Sequence, residues 1–456
     1  MNILILGSGG REHALAWKLL QSRKCHATGD HVEGDKKLFV APGNAGTQQI
    51  AQNISIDVND FEKIAAFSKH NNIDMIIVGP EAPLVEGIWN YFNDNADLND
   101  IKIIGPGKEG AQLEGSKDFA KNFMCKYGIP TAKSKTFTRN SLQEGLEYIE
   151  AQSAKRMAHS VKRYALKADG LAAGKGVIIA DSVRSAKSTL KEMLTNEKFG
   201  KASAKVVIEE YLNGIEVSVF VVTDGRNYKL LPEAKDYKRI GERDTGPNTG
   251  GMGAVSPVPF ADKNFMSKVT DRIINPTIEG LQQENIDYCG FIYFGLMNVK
   301  GDPYVIEYNV RLGDPEAEVV LPRIKTDLVD IFSAAAEKRL SEIDIEFDER
   351  TAATVMLVSE GYPGKYLKGK EITGLEKFMN DELRMTNYSS FTIFHSGTST
   401  NGDGKVITNG GRVLALSALG TDMNEALHIA NAAAEVIDWE GKYYRKDIGF
   451  DLRSKN

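Results

Sequence analysis

The feature that most constrains the fold is a series of four short apolar segments, each followed at once by a loop rich in glycine or proline. They cover residues 2–6, 38–41, 74–78 and 101–104. Apolar runs that alternate with helical segments in this way are typical of parallel strands. The sequence therefore predicts an α/β fold that begins with a parallel-sheet, Rossmann-like domain over residues 1–112. Its loops should meet at one edge, where ligands bind.

The first of these loops, GSGG, connects a strand to a helix that begins near Arg11. Glycines in this position let backbone N–H groups approach an anion at the start of a helix. His13 stands where a dinucleotide fingerprint would have a third glycine or an alanine. The loop therefore favours a phosphate site over a dinucleotide site. A dinucleotide-dependent oxidoreductase remains the alternative from another enzyme class.

A second feature is the segment YVIEYNVRLGDPEAE, residues 304–318. Residues 304–306 are expected to end a strand that is buried on both faces. Glu307, Asn309 and Arg311 follow at a spacing of two, so an extended strand would turn them to one side. The carboxylate and amide oxygens suit magnesium, and the Arg311 guanidinium suits a phosphoryl oxygen. A strand end with solvated polar residues is the alternative.

The middle of the chain contains further nucleotide-binding signals. Residues 113–130 are predicted to form one helix closed by glycine and proline. The segment GLAAGKG joins two predicted strands, 164–169 and 177–180, into a hairpin that could fold over a triphosphate as a lid. An ordinary hairpin with a surface lysine is the alternative. The loop GPNTGGMGA, residues 246–254, predicts close packing or contact with a ligand. Residues 236–239 before it fit an anion site or a solvated turn equally well.

Composition excludes several classes of protein. The 456 residues suffice for about three domains, and the net charge of −6 comes without a long run of either sign. A basic stripe for nucleic acid and an apolar stretch for a membrane are both missing from the sequence, so neither partner is expected. Cys25, Cys125 and Cys289 show no zinc or disulfide spacing, so we expect three buried thiols in a cytoplasmic protein.

Nine sequence blocks, taken together, resemble the phosphoribosylamine–glycine ligase family of ATP-grasp enzymes. They are GSGGREHALAWKL, APGNAG, GPEAPL, QLEGSKDFAK, LKADGLAAGKGV, VIEEYLNGIE, DTGPNTGGMGA, VIEYNVRLGDPEAE and NGGRVLALSALG. The resemblance runs from Met1 to about Phe450. It implies an ATP-grasp domain over 113–340 with a small lid subdomain over about 130–210, and a C-terminal α/β cap domain over 341–456.

The resemblance also implies the chemistry. ATP would phosphorylate the glycine carboxylate, and the amine of 5-phosphoribosylamine would displace phosphate from glycyl phosphate. ATP, glycine and 5-phosphoribosylamine would be the partners, magnesium or manganese the cofactor, and a monomer is expected. A regulatory ATP-binding module is the remaining alternative. It would not need the 246–254 loop. Residues 291–297 contain no carboxylate, which argues against a biotin-carboxylase-like enzyme.

Carried over position by position, the resemblance assigns the metal ligands to Glu307 and Asn309, while Arg311 is the predicted catalytic residue. The residues predicted to bind ATP are Lys117, Lys167, Gly174, Lys175, Gly176, Glu209, Glu210, Tyr211, Leu212 and Glu216. The residues predicted to bind the other substrates are Gly9, Gly10, Arg11, Glu12, Pro42, Gly43, Asn44, Pro80, Glu81, Thr249, Gly250, Gly251, Met252 and Asp314. Loops 394–398 and 409–412 should face the same site. Residues 24–37 and 157–164 depart from the family and are expected on the surface.

Overall fold

The N-terminal region folds as predicted, around a five-stranded parallel sheet. The computed structural model describes residues 1–22, 38–155, 163–171, 176–195, 204–378 and 390–453. The five strands are β1 (Ile3–Gly7), β2 (Leu38–Pro42), β3 (Gln52–Asn53), β4 (Met75–Val78) and β5 (Lys102–Ile104). Their order is β3-β2-β1-β4-β5, and every neighbouring pair is parallel. The apolar runs form the four longer strands because both faces of the sheet are covered.

Helices cover this sheet, and the loops between strands and helices gather at one edge. The helices are α1 (Gly10–Leu19), α2 (Thr47–Ile50), α3 (Phe61–His70), α4 (Glu81–Glu86) and α5 (Ile88–Asn93). Helix α1 follows β1 through the glycine loop, as the sequence predicts. Its first residues lie at the carboxyl edge of the sheet, where ligands bind in such folds.

The single helix predicted over residues 113–130 is wrong, because two helices occupy this region. They are α6 (Gln112–Gly115) and α7 (Lys117–Lys126). Ser116 between them is extended, and its hydroxyl accepts a hydrogen bond from the Phe119 N–H. A serine in this position caps the second helix and stops the first from continuing.

A four-stranded antiparallel sheet with two helices forms the region predicted as a lid subdomain. Its elements are β6 (Ser134–Thr138), α8 (Leu142–Lys155), β7 (Tyr164–Ala168), β8 (Val177–Ala180), α9 (Val183–Thr195) and β9 (Lys205–Glu210). The strand order is β6-β9-β7-β8. Leu166, Leu190 and Ile208 belong to a hydrophobic cluster of its own. The predicted hairpin is therefore confirmed as β7 and β8, while residues 172–175 at its tip lie outside the described residues.

The central region contributes two long paired strands that carry the predicted site. The strands here are β10 (Ile215–Thr223), β11 (Tyr228–Leu230), β12 (Lys235–Asp236), β13 (Arg239–Gly241), β14 (Thr245–Asn248), β15 (Gly253–Ser256), β16 (Gly290–Val299) and β17 (Asp302–Asn309). The helices are α10 (Lys263–Val269), α11 (Asn275–Gln283), α12 (Ala317–Val320) and α13 (Leu328–Ala336), with a π-helical turn, Thr270–Ile274, between α10 and α11. Strands β11, β10, β16 and β17 form an antiparallel sheet in that order.

The prediction that residues 304–306 are buried on both faces is wrong. Val305 is fully buried, but its neighbours on the other face are only partly covered. The register shifts between Gly295 and Leu296, opposite this point. Beyond the shift, Tyr308 and Val310 enter the core. The bulge therefore restores a simple alternation, with one face of β17 left for polar residues.

A six-stranded sheet is formed by strands from two parts of the chain, the central region and the C-terminal region. The remaining elements are β18 (Thr351–Ser359), β19 (Phe391–His395), β20 (Thr398–Thr400), β21 (Val406–Thr408), β22 (Arg412–Gly420), α14 (Met423–Val436) and β23 (Lys442–Tyr443). The order β12-β15-β18-β22-β19, with β23 paired to β18, joins the loop region around residue 250 to the C-terminal strands. This pairing fixes the 246–254 loop against the C-terminal part of the chain.

The prediction of three buried thiols is wrong for Cys125, which is exposed on the outer side of α7. Phe123 and Met124 take the buried side of that helix turn. Cys289 is partly covered, and Cys25 lies outside the described residues. Within the described ranges, no helix combines the length and apolar character that a membrane crossing requires.

Candidate active site

Glu307 and Asn309 lie on the open face of β17, next to a glycine on the neighbouring strand. Gly295 of β16 is paired with Glu307, and a Cβ atom built on Gly295 would lie 3.0 Å from the Glu307 Cγ atom. Glycine therefore leaves room for the glutamate side chain. Within the described ranges, no hydrogen bond or ion pair engages either polar head. Two uncommitted oxygen donors on one strand face fit a divalent metal that also takes phosphate oxygens and water.

An all-protein metal cage is not what this part of the structure offers. In the portion of the chain that the structure describes, no group of three or more His, Cys, Asp or Glu side chains is arranged to hold a metal ion. The donors at Glu307 and Asn309 are instead few and open. That is the arrangement expected where a substrate supplies the remaining ligands.

Arg311 lies two residues beyond the end of β17 and is held by two carboxylates. Its Nη2 atom lies 2.6 Å from the Glu114 Oε1 atom, and its Nε atom lies 3.4 Å from the Glu81 Oε2 atom. The other oxygen of Glu114 accepts from the Val310 N–H at 2.8 Å. Burial works against the guanidinium charge, but Glu114 and Glu81 raise the pKa of Arg311. The arginine is therefore charged and fixed in orientation before any ligand arrives.

Glu114 is a site residue that the residue-by-residue assignment missed. It lies in helix α6, 197 residues before its partner Arg311. Burial raises the pKa of Glu114, with Arg311 opposing this effect. For Glu81, burial also acts to raise the pKa, but Arg311 and Arg11 outweigh it and the pKa falls. The block QLEGSKDFAK contains Glu114, and that resemblance was the only signal in the sequence.

Lys167 lies where the predicted ATP region meets β17. Its ammonium donates to the Ile306 carbonyl at 2.9 Å and lies 3.1 Å from the Glu209 Oε2 atom. The second oxygen of Glu209 lies 3.2 Å from the Lys121 ammonium. Burial lowers the pKa of Lys121 to about 8. Glu209 thus bridges two buried lysines, which holds Lys167 beside the metal-ligand candidates.

Lys117 opens helix α7 and belongs to the same cluster. Its ammonium donates to the Gly170 carbonyl of the hairpin at 3.4 Å. Burial lowers the pKa of Lys117, while the charge of Glu307 acts in the opposite direction. Gly176 closes the described end of the hairpin, where its carbonyl accepts from the Ala168 N–H. The predicted residues Gly174 and Lys175 lie outside the described residues.

The segment after β9 carries the residues predicted to hold the nucleoside. The Glu210 carboxylate accepts from the Lys133 N–H at 3.1 Å, and the Arg163 guanidinium lies 5.3 Å from the Tyr211 ring centre. Leu212 is half-buried beside them. Glu210 ends β9, and Tyr211 and Leu212 lie between the lid sheet and β10, in the segment predicted to hold the adenine.

Glu216 is committed to a charge cluster. Its Oε2 atom accepts from the Lys238 ammonium at 2.6 Å, and Lys238 also lies 3.6 Å from Asp236. The Lys238 charge lowers the pKa of Glu216, whereas burial raises that of Asp236. Asp236 is 7 % exposed, so a solvated turn is excluded at this residue. Burial raises the pKa of the nearby Glu316 to about 7.

The glycine loop of the N-terminal sheet contacts the GDP segment after β17. The Gly9 N–H donates to the Glu12 carboxylate at 2.6 Å, and the Arg11 Nε atom lies 2.7 Å from the other Glu12 oxygen. The Arg11 N–H donates to the Asp314 Oδ2 atom at 3.3 Å. Gly10, the first residue of α1, is buried beside them. The predicted substrate residues of the two segments are therefore brought together.

The second N-terminal loop is fixed by Asn44. Its side-chain amide donates to the Ser8 carbonyl at 2.9 Å and to the His395 carbonyl at 2.8 Å. Gly43 has a φ of +74°, and a Cβ atom there would collide with Asn53. Pro42 ends β2, and Pro80 and Glu81 begin α4 at the same sheet edge. Asn44 thus ties the N-terminal loops to the C-terminal strand β19.

Arg412 joins the 246–254 loop to Asp314. Its Nη1 atom donates to the Gly250 carbonyl at 2.6 Å, and its Nη2 atom lies 2.9 Å from the Asp314 Oδ1 atom. The Thr249 hydroxyl accepts from the Gly251 N–H, and Gly251 has a φ of +120°, which favours glycine. Met252 is fully buried and its N–H bonds to the Tyr237 carbonyl. Met252 therefore supports this loop from beneath.

Three family models match the chain and together cover most of it. The N domain of phosphoribosylglycinamide synthetase matches residues 1–114, its ATP-grasp (A) domain matches 115–317, and its C domain matches 352–451. The phosphoribosylamine–glycine ligase of Pasteurella multocida is 43% identical over 461 residues, with 100% of both chains covered.

Solved structures agree with these matches. The crystal structure of phosphoribosylamine–glycine ligase from Thermotoga maritima has a TM-score of 0.78 at 35% identity and covers 98% of this chain and 100% of that one. The biotin carboxylase domain of Hydrogenobacter thermophilus 2-oxoglutarate carboxylase has a TM-score of 0.68 at 16% identity, covering 97% and 91%. The second likeness shows the fold alone. Together these findings confirm the predicted α/β, ATP-grasp fold class.

Proposed function

Because the chain belongs to the phosphoribosylamine–glycine ligase family of ATP-grasp enzymes, we propose how its residues carry out that reaction. The protein is an ADP-forming carbon–nitrogen ligase that joins glycine to 5-phosphoribosylamine at the expense of ATP, a step of de novo purine biosynthesis. The residue roles, the acyl phosphate intermediate, the identity of the metal, a monomeric state and a cytoplasmic location belong to the proposal.

The first step proposed is transfer of the γ-phosphoryl group of ATP to a glycine carboxylate oxygen, which releases ADP and forms glycyl phosphate. The amine nitrogen of 5-phosphoribosylamine then attacks the carbonyl carbon. A C–N bond forms, phosphate leaves with the electrons of the C–O bond, and the nitrogen loses a proton. Activation is needed because a free carboxylate is a poor electrophile at neutral pH.

Glu307 and Asn309 would hold magnesium or manganese, since their oxygens are uncommitted within the described ranges. A divalent ion in this place neutralises charge on transferring phosphates. Lys117 and Lys167 would add positive charge around the phosphate oxygens, and the Gly170–Gly176 hairpin would cover them. Glu209 keeps Lys167 oriented, since it forms ion pairs with that lysine and with Lys121.

Arg311 would stabilise the oxygens of the transferring group. Its orientation is fixed by Glu114 and Glu81, so little reorganisation is needed at the moment of reaction. The same two ion pairs leave part of the guanidinium engaged by protein. The Arg311 Nη1 atom also donates to the Leu312 carbonyl at 3.2 Å. For Arg311 to act on a substrate, either Glu81 must give way or the substrate must use the second N–H group of Nη1 or Nη2.

The amine substrate would lie at the opposite end of the site. Gly9, Gly10 and Arg11 begin helix α1, and Asp314 lies against them. The N–H groups of Gly9 and Arg11 donate to the carboxylates of Glu12 and Asp314, so the ribose phosphate would take the place of these carboxylates at the start of the helix. Asn44, Pro42, Gly43 and Pro80 would frame this pocket, while Thr249 and Gly250 to Met252 would close it with Arg412.

The observation that carries the proposal is the convergence of uncommitted oxygens, buried lysines and one oriented arginine between the hairpin and the N-terminal loops. A dinucleotide-dependent oxidoreductase that binds its cofactor at the N-terminal sheet would not explain this group of residues. A regulatory ATP-binding module would not need Arg412 and Asp314 to join the 246–254 loop to the N-terminal domain.

Isotope transfer tests the proposed intermediate directly. With ATP, a divalent metal, freshly made 5-phosphoribosylamine and glycine labelled with ¹⁸O in its carboxylate, one ¹⁸O atom should appear in the phosphate released. ADP release should require all three substrates. Unlabelled phosphate would rule out glycyl phosphate, and equal ADP release without glycine would contradict the assigned reaction.

A further inference from the structure

A cavity lies at the far end of helix α1, away from the glycine loop where α1 begins. Its volume is about 170 Å³. Its walls include Trp17, Lys18 and Gln21 from the last turns of α1, Phe391 from β19, and Glu318 from α12. None of these residues belongs to the predicted nucleotide or substrate sets. The cavity is therefore a separate place in the fold that the ligase reaction does not explain.

The cavity has a surplus of positive charge. Lys18, Lys325 and Arg350 line it, and its acidic lining residues are Asp348 and Glu318. Asp348 is occupied by Arg350, with an Nη2–Oδ2 distance of 2.7 Å and an Nε–Oδ1 distance of 3.0 Å. The fifth charged residue, Glu318, is fully buried, and burial raises its pKa. Two lysine charges are left to face the cavity.

Lys18 is the unusual member of this set, because it is 6 % exposed. Its ammonium donates to the Gln21 Oε1 atom at 2.9 Å, within the same helix end. An ammonium has three donors, so two of them have no acceptor among the residues that the structure describes. Burial lowers the pKa of Lys18 to about 8, with Asp327 and Asp348 opposing this effect, so the group is mostly charged at neutral pH. A buried cation of this kind calls for an anion.

Glu318 also lines the cavity, but its carboxylate lies toward the start of α1. A Cβ atom built on Gly10 would collide with the Glu318 Oε1 atom. Burial and the charge of Asp314 raise the pKa of Glu318, and Arg412 opposes them. The Glu318 carboxylate therefore belongs with the ligase-site residues, and Lys18 is the buried charge that the cavity offers to a ligand.

The size and walls of the cavity narrow the ligand class. A cavity of about 150 Å³ lined by apolar groups takes up benzene, so this volume suits a single ring. Trp17 and Phe391 supply aromatic surface, and the lysines supply charge. We propose that this cavity binds a small aromatic carboxylate, with its ring against Trp17 and Phe391 and its carboxylate on Lys18. The site lies beyond the proposed function and does not depend on it.

The test uses 4-fluorobenzoate as the probe and ¹⁹F NMR line broadening of the full-length protein as the readout. Saturable binding to the wild type is expected, and the neutral probe 4-fluorobenzamide should not bind. Lys18→Met keeps the stem of the side chain but removes its charge, so it should weaken 4-fluorobenzoate binding about tenfold or more. Lys63→Met, at a lysine whose side chain is 72% exposed on α3, is the matched control and should leave binding unchanged.

Two further measurements locate the probe. Binding should quench tryptophan fluorescence in the wild type but not in Trp17→Phe, whose other tryptophans lie outside the cavity. Saturating ATP, magnesium and glycine should leave the probe bound, which separates this site from the ligase site. Lack of saturable binding, equal binding by Lys18→Met, or displacement by the ligase substrates would each overturn the proposal. Far-UV circular dichroism confirms that every variant is folded.

Discussion

Arg311 follows the end of strand β17, two residues after Asn309, and it differs from the Glu307–Asn309 pair in the contacts that the protein makes with it. Arg311 is held by Glu114 and Glu81, while the two oxygen donors have no hydrogen-bonding partner within the described ranges. Burying a charge is costly unless it is paired. The comparison suggests that the arginine is oriented by the fold, whereas the oxygen donors are kept for a partner that arrives with the substrate.

The largest loss of activity is expected from a substitution at Glu307. Glu307→Gln keeps the shape of the side chain but removes its charge, so kcat/KM should fall roughly a thousandfold, about 4 kcal/mol. The fold should survive, because within the described residues no hydrogen bond or ion pair engages this carboxylate. Steady-state ADP release measured across a magnesium titration checks the prediction. Glu284→Gln, at a surface ion pair with Lys126, is the control, and a titration identical to wild type would remove Glu307 from the metal site.

Arg311→Lys tests whether the oriented guanidinium acts on the transferring group. Lysine keeps the charge but loses the planar, two-pronged set of donors. If Arg311 acts on the transferring group, kcat/KM should fall by about 2–4 kcal/mol while ATP binding changes much less. Turnover and direct ATP binding, measured side by side, decide the matter. Arg339→Lys, at an exposed arginine, is the control, and small equal effects at Arg311 would make it a structural residue that only bridges Glu114 and Glu81.

The position of the Glu307–Asn309 pair could be predicted from the sequence, whereas the ion pairs of Arg311 could not. The spacing of two agrees with the observed burial, in which the partly covered Glu307, Asn309 and Arg311 alternate with buried residues. Side-chain alternation is a local property of extended chains, so the sequence can predict it. The ion pair of Arg311 with Glu114 was not predictable in this way. It joins residues 197 positions apart, and such contacts depend on how whole elements pack. Resemblance to the family marked the block around Glu114 but gave it no role.

Predictions from local sequence patterns were wrong in two segments of the chain. Residues 113–130 have a helical pattern throughout, yet the Ser116 hydroxyl caps α7 and divides the segment. The bulge opposite Gly295 likewise leaves only one face of residues 304–306 buried, although their composition suggests a strand covered on both sides. Cap geometry and register shifts are set by tertiary contacts, so composition and periodicity alone do not reveal them.

Glu316 is a buried carboxylate near the end of β17, and the third prediction concerns whether it carries a charge in the folded protein. Burial raises its pKa to about 7 from an ordinary value near 4.5. Between those values the folded protein retains a proton that the unfolded chain has lost, so wild-type stability falls as the pH rises through this range. Glu316→Gln removes that penalty. Its stability relative to wild type should improve by about 1–3 kcal/mol between pH 5 and pH 8.

Urea unfolding at the two pH values measures this difference. Glu279→Gln, on the exposed side of α11, is the control and should show almost no change in relative stability with pH. The Ser218 hydroxyl donates to Glu316 at 3.2 Å, and glutamine can accept the same bond. A relative stability that does not depend on pH would show that Glu316 is ionised in the folded protein over this range.

The smallest expected effect is at Asn309, where an amide oxygen is the second proposed donor to the metal. Asn309→Ala removes that donor and should raise the apparent magnesium requirement about tenfold, or 1.4 kcal/mol. Asn309→Asp keeps an oxygen at the same point of β17 and adds a negative charge, so its magnesium requirement should be unchanged or lower. ADP release as a function of magnesium, at fixed saturating ATP and glycine, separates the two variants. If both variants lose activity equally and neither shifts the magnesium dependence, Asn309 has a structural role in β17 and is not a metal ligand. The open face of β17 would then offer one ligand instead of two.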